Sequence, residues 1–168
     1  MHVVFREAHG LDEAAAPVDL AQSPGDLVVL SFSDSDLGAF AAGWRRAAGT
    51  LPSLRLASLA ALQHPLSVGT YVERTLAGAR GVLVRAIGGG GCWAYGLQQL
   101  QAVARERGIA LAVLPGDGRR DAALEAASTL PVSTLHQLAA LGDAGGEVAA
   151  QAALAQLALA AGLYAAPV

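Results

Sequence analysis

Short, continuous apolar runs separated by segments of helical period constrain this chain more than any other feature. Residues 3–5, 27–32, 54–57, 81–87 and 109–114 are each short enough for a strand, and they lack the polar alternation of a strand with one wet face. Strands covered on both faces read this way. The segments between them have the other period. Leu37, Phe40, Ala41, Trp44 and Ala48 share one helical face, and so do Val68, Tyr71, Val72, Thr75 and Ala79. Trp93, Leu97, Leu100 and Ala104 form a third such face, with Gln98, Gln99, Arg105 and Glu106 opposite. Gly108 follows where a left-handed residue ends a helix.

Strand alternating with helix predicts an α/β protein: a mainly parallel sheet with helices on both faces, flavodoxin-like or Rossmann-like. We assign residues 1–118 to this α/β domain. After the loop Pro115-Gly116-Asp117-Gly118, helical stretches near 121–127, 133–141 and 146–164 predict a helical extension over 119–168, leading towards further domains. The last stretch is apolar almost all round, and such a helix needs partners on every side. It is therefore expected to make the isolated chain self-associate.

Composition removes several function classes. The 168 residues carry a net charge of −3, with no basic face for nucleic acid and no polybasic stretch for an anionic membrane. All eleven basic residues are Arg, so no site that needs a lysine can be built. A single cysteine, Cys92, rules out an internal disulfide or a multi-thiolate metal site. The N-terminus turns charged too early for a secretory signal, and the apolar C-terminal stretch is mostly Ala broken by Gln151 and Gln156. A cytoplasmic protein without a membrane span is expected.

In open parallel sheets, ligands sit at the carboxyl ends of the strands, and the polar and glycine-rich sequences fall there. Ser33-Asp34-Ser35-Asp36 could hold a hard cation or a cationic partner through Asp34 and Asp36. A capping box, with Ser33 at the N-cap and Asp36 reaching back, explains the same spacing and is preferred. Gly88 to Gly91 with Trp93 could contact a phosphate through Gly89, but the run lacks the acidic residue that a dinucleotide site requires. A flexible crossover is the simpler reading. Asp117 lies in the loop after the last apolar run. His64 precedes Pro65 and a Ser67 expected as N-cap; the other histidines, His2, His9 and His136, are scattered and give no metal-ligand spacing. No catalytic residue and no metal site emerges.

Taken in order, these segments resemble a known family. Leu30-Ser31-Phe32-Ser33-Asp34-Ser35-Asp36-Leu37, Pro52-Ser53-Leu54-Arg55-Leu56-Ala57, His64-Pro65-Leu66-Ser67-Val68 and Tyr71-Val72-Glu73-Arg74-Thr75 open the series. Val84-Arg85-Ala86-Ile87-Gly88-Gly89, Trp93-Ala94-Tyr95-Gly96 and the run from Gly108 to Asp117 complete it, followed by Ser128-Thr129. The set is similar to the N-terminal segment of the large subunit of aerobic cobaltochelatase, the CobN type, related to the porphyrin-binding subunit of magnesium chelatase. It covers nearly all of residues 1–130 and fades from Ala139 onward; Cys92 stands where a bulkier aromatic residue is expected.

The resemblance implies a far longer protein of cobalamin biosynthesis, a ligase that binds hydrogenobyrinic acid a,c-diamide and Co²⁺. It also implies AAA+-type partner subunits that supply ATP hydrolysis. It implies that the metal-inserting residues lie downstream, leaving this segment a structural or substrate-enclosing role, with Asp34, Asp36, His64, Gly89, Trp93 and Asp117 as candidate substrate or partner contacts. The alternative is a free-standing α/β domain binding a nucleotide or small phosphorylated ligand at its strand ends.

Overall fold

The computed structural model describes residues 16–86 and 93–166. Its strands are β1 (Leu27–Ser31), β2 (Leu54–Ser58), β3 (Gly81–Ala86) and β4 (Ala110–Pro115). They form one all-parallel sheet in the order β2-β1-β3-β4, with Leu27 opposite both Leu54 and Gly81, and Gly81 opposite Ala110. The observed strands match the apolar runs to within two residues. The run at 3–5 and the glycines Gly88 to Gly91 lie outside the described residues.

Every strand residue except the terminal Pro115 is buried, which is why the runs are continuous. Val28, Leu30, Val82, Val84, Leu111 and Val113 point to one face. There they meet α2 (Pro65–Arg74), α3 (Ala94–Arg107) and the short α4 (Ala122–Ala127). Leu27, Val29, Leu54, Leu56, Leu83 and Leu114 point to the other, under α1 (Asp34–Arg46), α5 (Val132–Ala144) and α6 (Gly146–Ala160). Each such leucine contributes about 2 kcal/mol by leaving water. The expected helical faces are found, with changes at their ends: Ala79 lies beyond α2, in extended backbone after a short 3-10 turn. Ala48 lies beyond the end of α1 in the left-handed region, at φ 51°, where the chain turns towards β2.

The apolar C-terminal helix departs from expectation. Instead of waiting for outside partners, α6 packs on α1, on α5 and on β1 and β3, burying Ala150, Ala153, Leu154, Leu157 and Ala158. It thus completes one face of the α/β sandwich. Gly43 of α1 makes the close approach possible, because a Cβ there would come within 2.6 Å of Gln151 N and 2.8 Å of Glu147 O. Alanines on α6 and a glycine on α1 let two backbones nearly touch. Val148 and Leu159 alone among its large apolar residues stay exposed.

The edge of β4 is bracketed by side chains. Leu111 N donates to Thr129 Oγ1 at 2.8 Å and Val113 N to Ser128 Oγ at 2.8 Å, while Thr129 N returns to Leu111 O at 2.9 Å. An open edge would offer those groups to another chain.

Candidate functional site

The order β2-β1-β3-β4 reverses direction between β1 and β3, and the carboxyl ends of those two strands frame the crevice where doubly wound proteins place ligands. Here the chain fills much of that crevice itself. Arg85, the penultimate residue of β3, is a charge inside an otherwise apolar run and is only 5% exposed. Its Nη1 donates to Asp36 Oδ1 at 2.8 Å and to Gly142 O at 3.2 Å, and its Nη2 to Asp143 Oδ1 at 2.9 Å. Asp36 Oδ2 accepts from Ser31 Oγ at 3.0 Å, at the end of β1. One guanidinium therefore ties the sheet to the first turn of α1 and the last turn of α5. A buried cation without such partners would be strongly destabilising.

Glycine 142 is part of the arrangement. A Cβ there would sit 3.1 Å from Arg85 Cζ and Nε, so a side chain would require the guanidinium to give by a few tenths of an ångström. Arg85 Nε has no hydrogen-bond partner among the described residues.

The SDSD sequence thus forms half of a capping box. Ser33 Oγ accepts from Asp36 N at 3.2 Å, as expected of the N-cap. The Asp36 carboxylate, however, turns to Arg85 and Ser31, and Ser33 N is satisfied by Ser31 Oγ at 3.0 Å. Its cationic partner is within the chain. Asp34 is exposed in the same first turn.

The remaining sequence candidates are dispersed. His64, not Ser67, is the N-cap of α2: its Nδ1 accepts from Leu66 N at 3.1 Å, with Pro65 at the first helical position. Ser67 is buried and accepts from Val18 N at 2.7 Å. Trp93 is 5% exposed in the core under α2 and α3, and its Nε1 donates to Leu62 O at 2.9 Å. Its ring fills the space beside Gly96, where a Cβ would come within 2.0 Å of it. Asp117 is exposed and accepts from Arg119 N at 3.1 Å, closing the turn after β4. Gly89 lies outside the described residues. Of the described candidates, Asp36 alone joins the crevice network.

Sequence reasoning missed Arg85, Asp143 and Gly142. The signal for Arg85 was present: a lone arginine in a strand buried on both faces must find hydrogen-bond acceptors. Arg55 of β2 is the parallel case, buried and hydrogen-bonded through Nε to Ser23 O at 2.9 Å and through Nη2 to Ser23 Oγ at 3.0 Å.

Beside this network, between the loop after β4 and helices α4 and α5, lies a cavity of about 270 Å³. Val113, Leu114, Leu135 and Ala139 line it with apolar surface, and Arg119, Arg120 and His136 bring nitrogen donors to it. Glu125 holds two of these: Arg120 Nε at 3.2 Å and His136 Nε2 at 3.1 Å from its Oε1. The Arg120 guanidinium first, and His136 second, keep the Glu125 carboxyl below its ordinary pKa. Among the described residues no group of three or more His, Cys, Asp or Glu is placed to hold a metal ion, and no helix is long and apolar enough to cross a membrane.

No protein-family model matches the chain, and no solved structure matches it. Two curated proteins do. The chain is 40% identical over 146 residues to the aerobic cobaltochelatase subunit CobN of Sinorhizobium sp, covering 87% of this chain and 11% of that protein. It is 42% identical over 131 residues to the aerobic cobaltochelatase subunit CobN of Pseudomonas aeruginosa, covering 78% of this chain and 10% of that protein. The chain thus spans about a tenth of the length of these curated relatives. By sequence it belongs to the CobN family of aerobic cobaltochelatase subunits, matching a segment of a much larger subunit.

Proposed function

We propose that this chain serves as the N-terminal module of the large subunit of an ATP-dependent cobaltochelatase, the cytoplasmic ligase that inserts Co²⁺ into hydrogenobyrinic acid a,c-diamide during cobalamin biosynthesis. Its role is structural or substrate-enclosing. Its partners are the rest of the large subunit and AAA+-type ATPase subunits, which supply ATP hydrolysis.

The observation that carries this reading is the identity of about 40% over most of the chain to two CobN subunits. The crevice adds support for a role other than chemistry. At the strand ends where a parallel sheet would hold a reacting ligand, Arg85, Asp36 and Asp143 spend their charges on one another. Such a network fixes the relative positions of sheet and helices, which suits a scaffold.

Incubating the 168-residue chain with Co²⁺, ATP and hydrogenobyrinic acid a,c-diamide, and following the corrin absorption spectrum, tests the division of labour. No cobalt incorporation and no ATP hydrolysis are expected. Turnover by the chain alone would overturn the assignment of chemistry to the remainder of the subunit.

A further inference from the structure

We propose that the cavity between the β4–α4 loop and α5 binds a small monocarboxylate ligand with a flat apolar body, its carboxylate held by Arg119 and its body against Leu114, Leu135 and Ala139. The inference stands independently of the chelatase reading.

The argument begins with which charges around the cavity are already used. Three carboxylates line it, and each is engaged within the protein. Asp121 caps α4, accepting from Ala123 N at 3.0 Å and Leu124 N at 3.2 Å. Glu125 takes Arg120 and His136, and Asp143 takes Arg85. Arg119 also lines the cavity, is exposed, and has no carboxylate partner among the described residues. A guanidinium presents a planar fork of donors that fits a carboxylate in two parallel hydrogen bonds.

Glu125 then acts as a positioning residue. By holding both Arg120 and His136 it fixes two further donor-bearing side chains at the cavity wall, so less side-chain entropy is lost when a ligand arrives. Arg119, the guanidinium with no carboxylate partner among the described residues, suits a single carboxylate. A phosphate dianion would bring a second charge close to Asp121 and Asp143, which line the same cavity.

Size and lining set the rest of the ligand. The volume of about 270 Å³ is enough for a single ring with its acid group. The apolar floor favours a ring over a polar chain, as ligand sites combine apolar walls with few directed polar groups. The position, at the carboxyl end of β4, is where this sheet class binds ligands.

Benzoate is the probe, titrated into the isotope-labelled 168-residue chain and followed by amide chemical shifts. Benzyl alcohol, acetate and inorganic phosphate serve as comparison arms. Benzoate should give saturable shifts confined to residues 113–121 and 135–143. Arg119→Gln should weaken it at least tenfold, while Arg45→Gln, an exposed arginine in the last turn of α1, should leave it unchanged. Acetate and benzyl alcohol should each bind at least tenfold more weakly. Absence of saturable shifts, binding of phosphate or benzyl alcohol as tight as benzoate, or an Arg119→Gln variant that binds normally would each overturn the proposal.

Discussion

Arg85 of β3 and Asp36 of α1 meet at 2.8 Å across the point where the strand order reverses, and they join the two halves of the sheet's carboxyl edge. Both side chains are largely out of water, at 6% and 17% exposure. Removing one partner leaves the other charge in a poorly solvated place. Asp36→Ala or Arg85→Ala should each cost about 3 kcal/mol in urea unfolding. The paired change Asp36→Leu with Arg85→Met should cost less than the sum of Asp36→Leu and Arg85→Met made singly, because only the partly exposed Asp143 then loses a partner. Additive losses would show that the two residues act separately.

Helix α1 contains two glycines that predict opposite outcomes. A Cβ at Gly38 meets nothing within 4 Å, so Gly38→Ala should stabilise the chain by about 0.5–1 kcal/mol through helix propensity. A Cβ at Gly43 meets the α6 backbone at 2.6 Å, so Gly43→Ala should destabilise it by about 1–3 kcal/mol. Thermal unfolding of the two variants side by side measures the closeness of α1 and α6.

The same contact shows why part of the fold was hidden in the sequence. Strand positions were legible because both faces are buried, and helix faces because their period is regular. Strand order was not, since each of the parallel strands reads as the same kind of apolar run. The Ala-rich composition of α6 reads as a helix lacking a wet face, and nothing local says that its partner lies in the same chain. Gly43, placed about a hundred residues earlier, is what admits it. In the crevice, Asp36 was legible as polar and placed at a strand end. Its partner Arg85 lay inside a strand, and Asp143 lay in a helix with no motif. His64 displaced Ser67 as N-cap because Pro65 starts the helix three residues early.

Thr129 supplies an acceptor for Leu111 N and a donor to Ile109 O at 3.1 Å on the outer edge of β4. Thr129→Val keeps the shape and removes both bonds. A loss of about 1–2 kcal/mol is expected, together with faster amide exchange at Leu111. Unchanged exchange there would mean the edge is protected by other groups.

Acid should weaken the wall of the cavity. Arg120 and His136 lower the Glu125 pKa from its ordinary 4.5 in the folded chain, so Glu125 releases its proton more readily there than when unfolded. Its contribution to stability is present above pH 4.5 and is lost as pH falls through the lowered folded value. Glu125→Gln should therefore make stability fall less steeply with acidification below that point. An identical acid limb for both proteins would contradict the ion pairs.

The account's central claim is that this chain works as a segment of a CobN subunit, and a chimera tests it most directly. Its residues replace the matching segment of the Pseudomonas aeruginosa CobN, and cobalt insertion is measured with the ATPase partners and corrin substrate present. The account predicts that insertion persists within about tenfold of the parent, and that the Asp36→Ala change in the chimera lowers the thermal midpoint of the subunit. A soluble, folded chimera that inserts no cobalt while the parent does would contradict it.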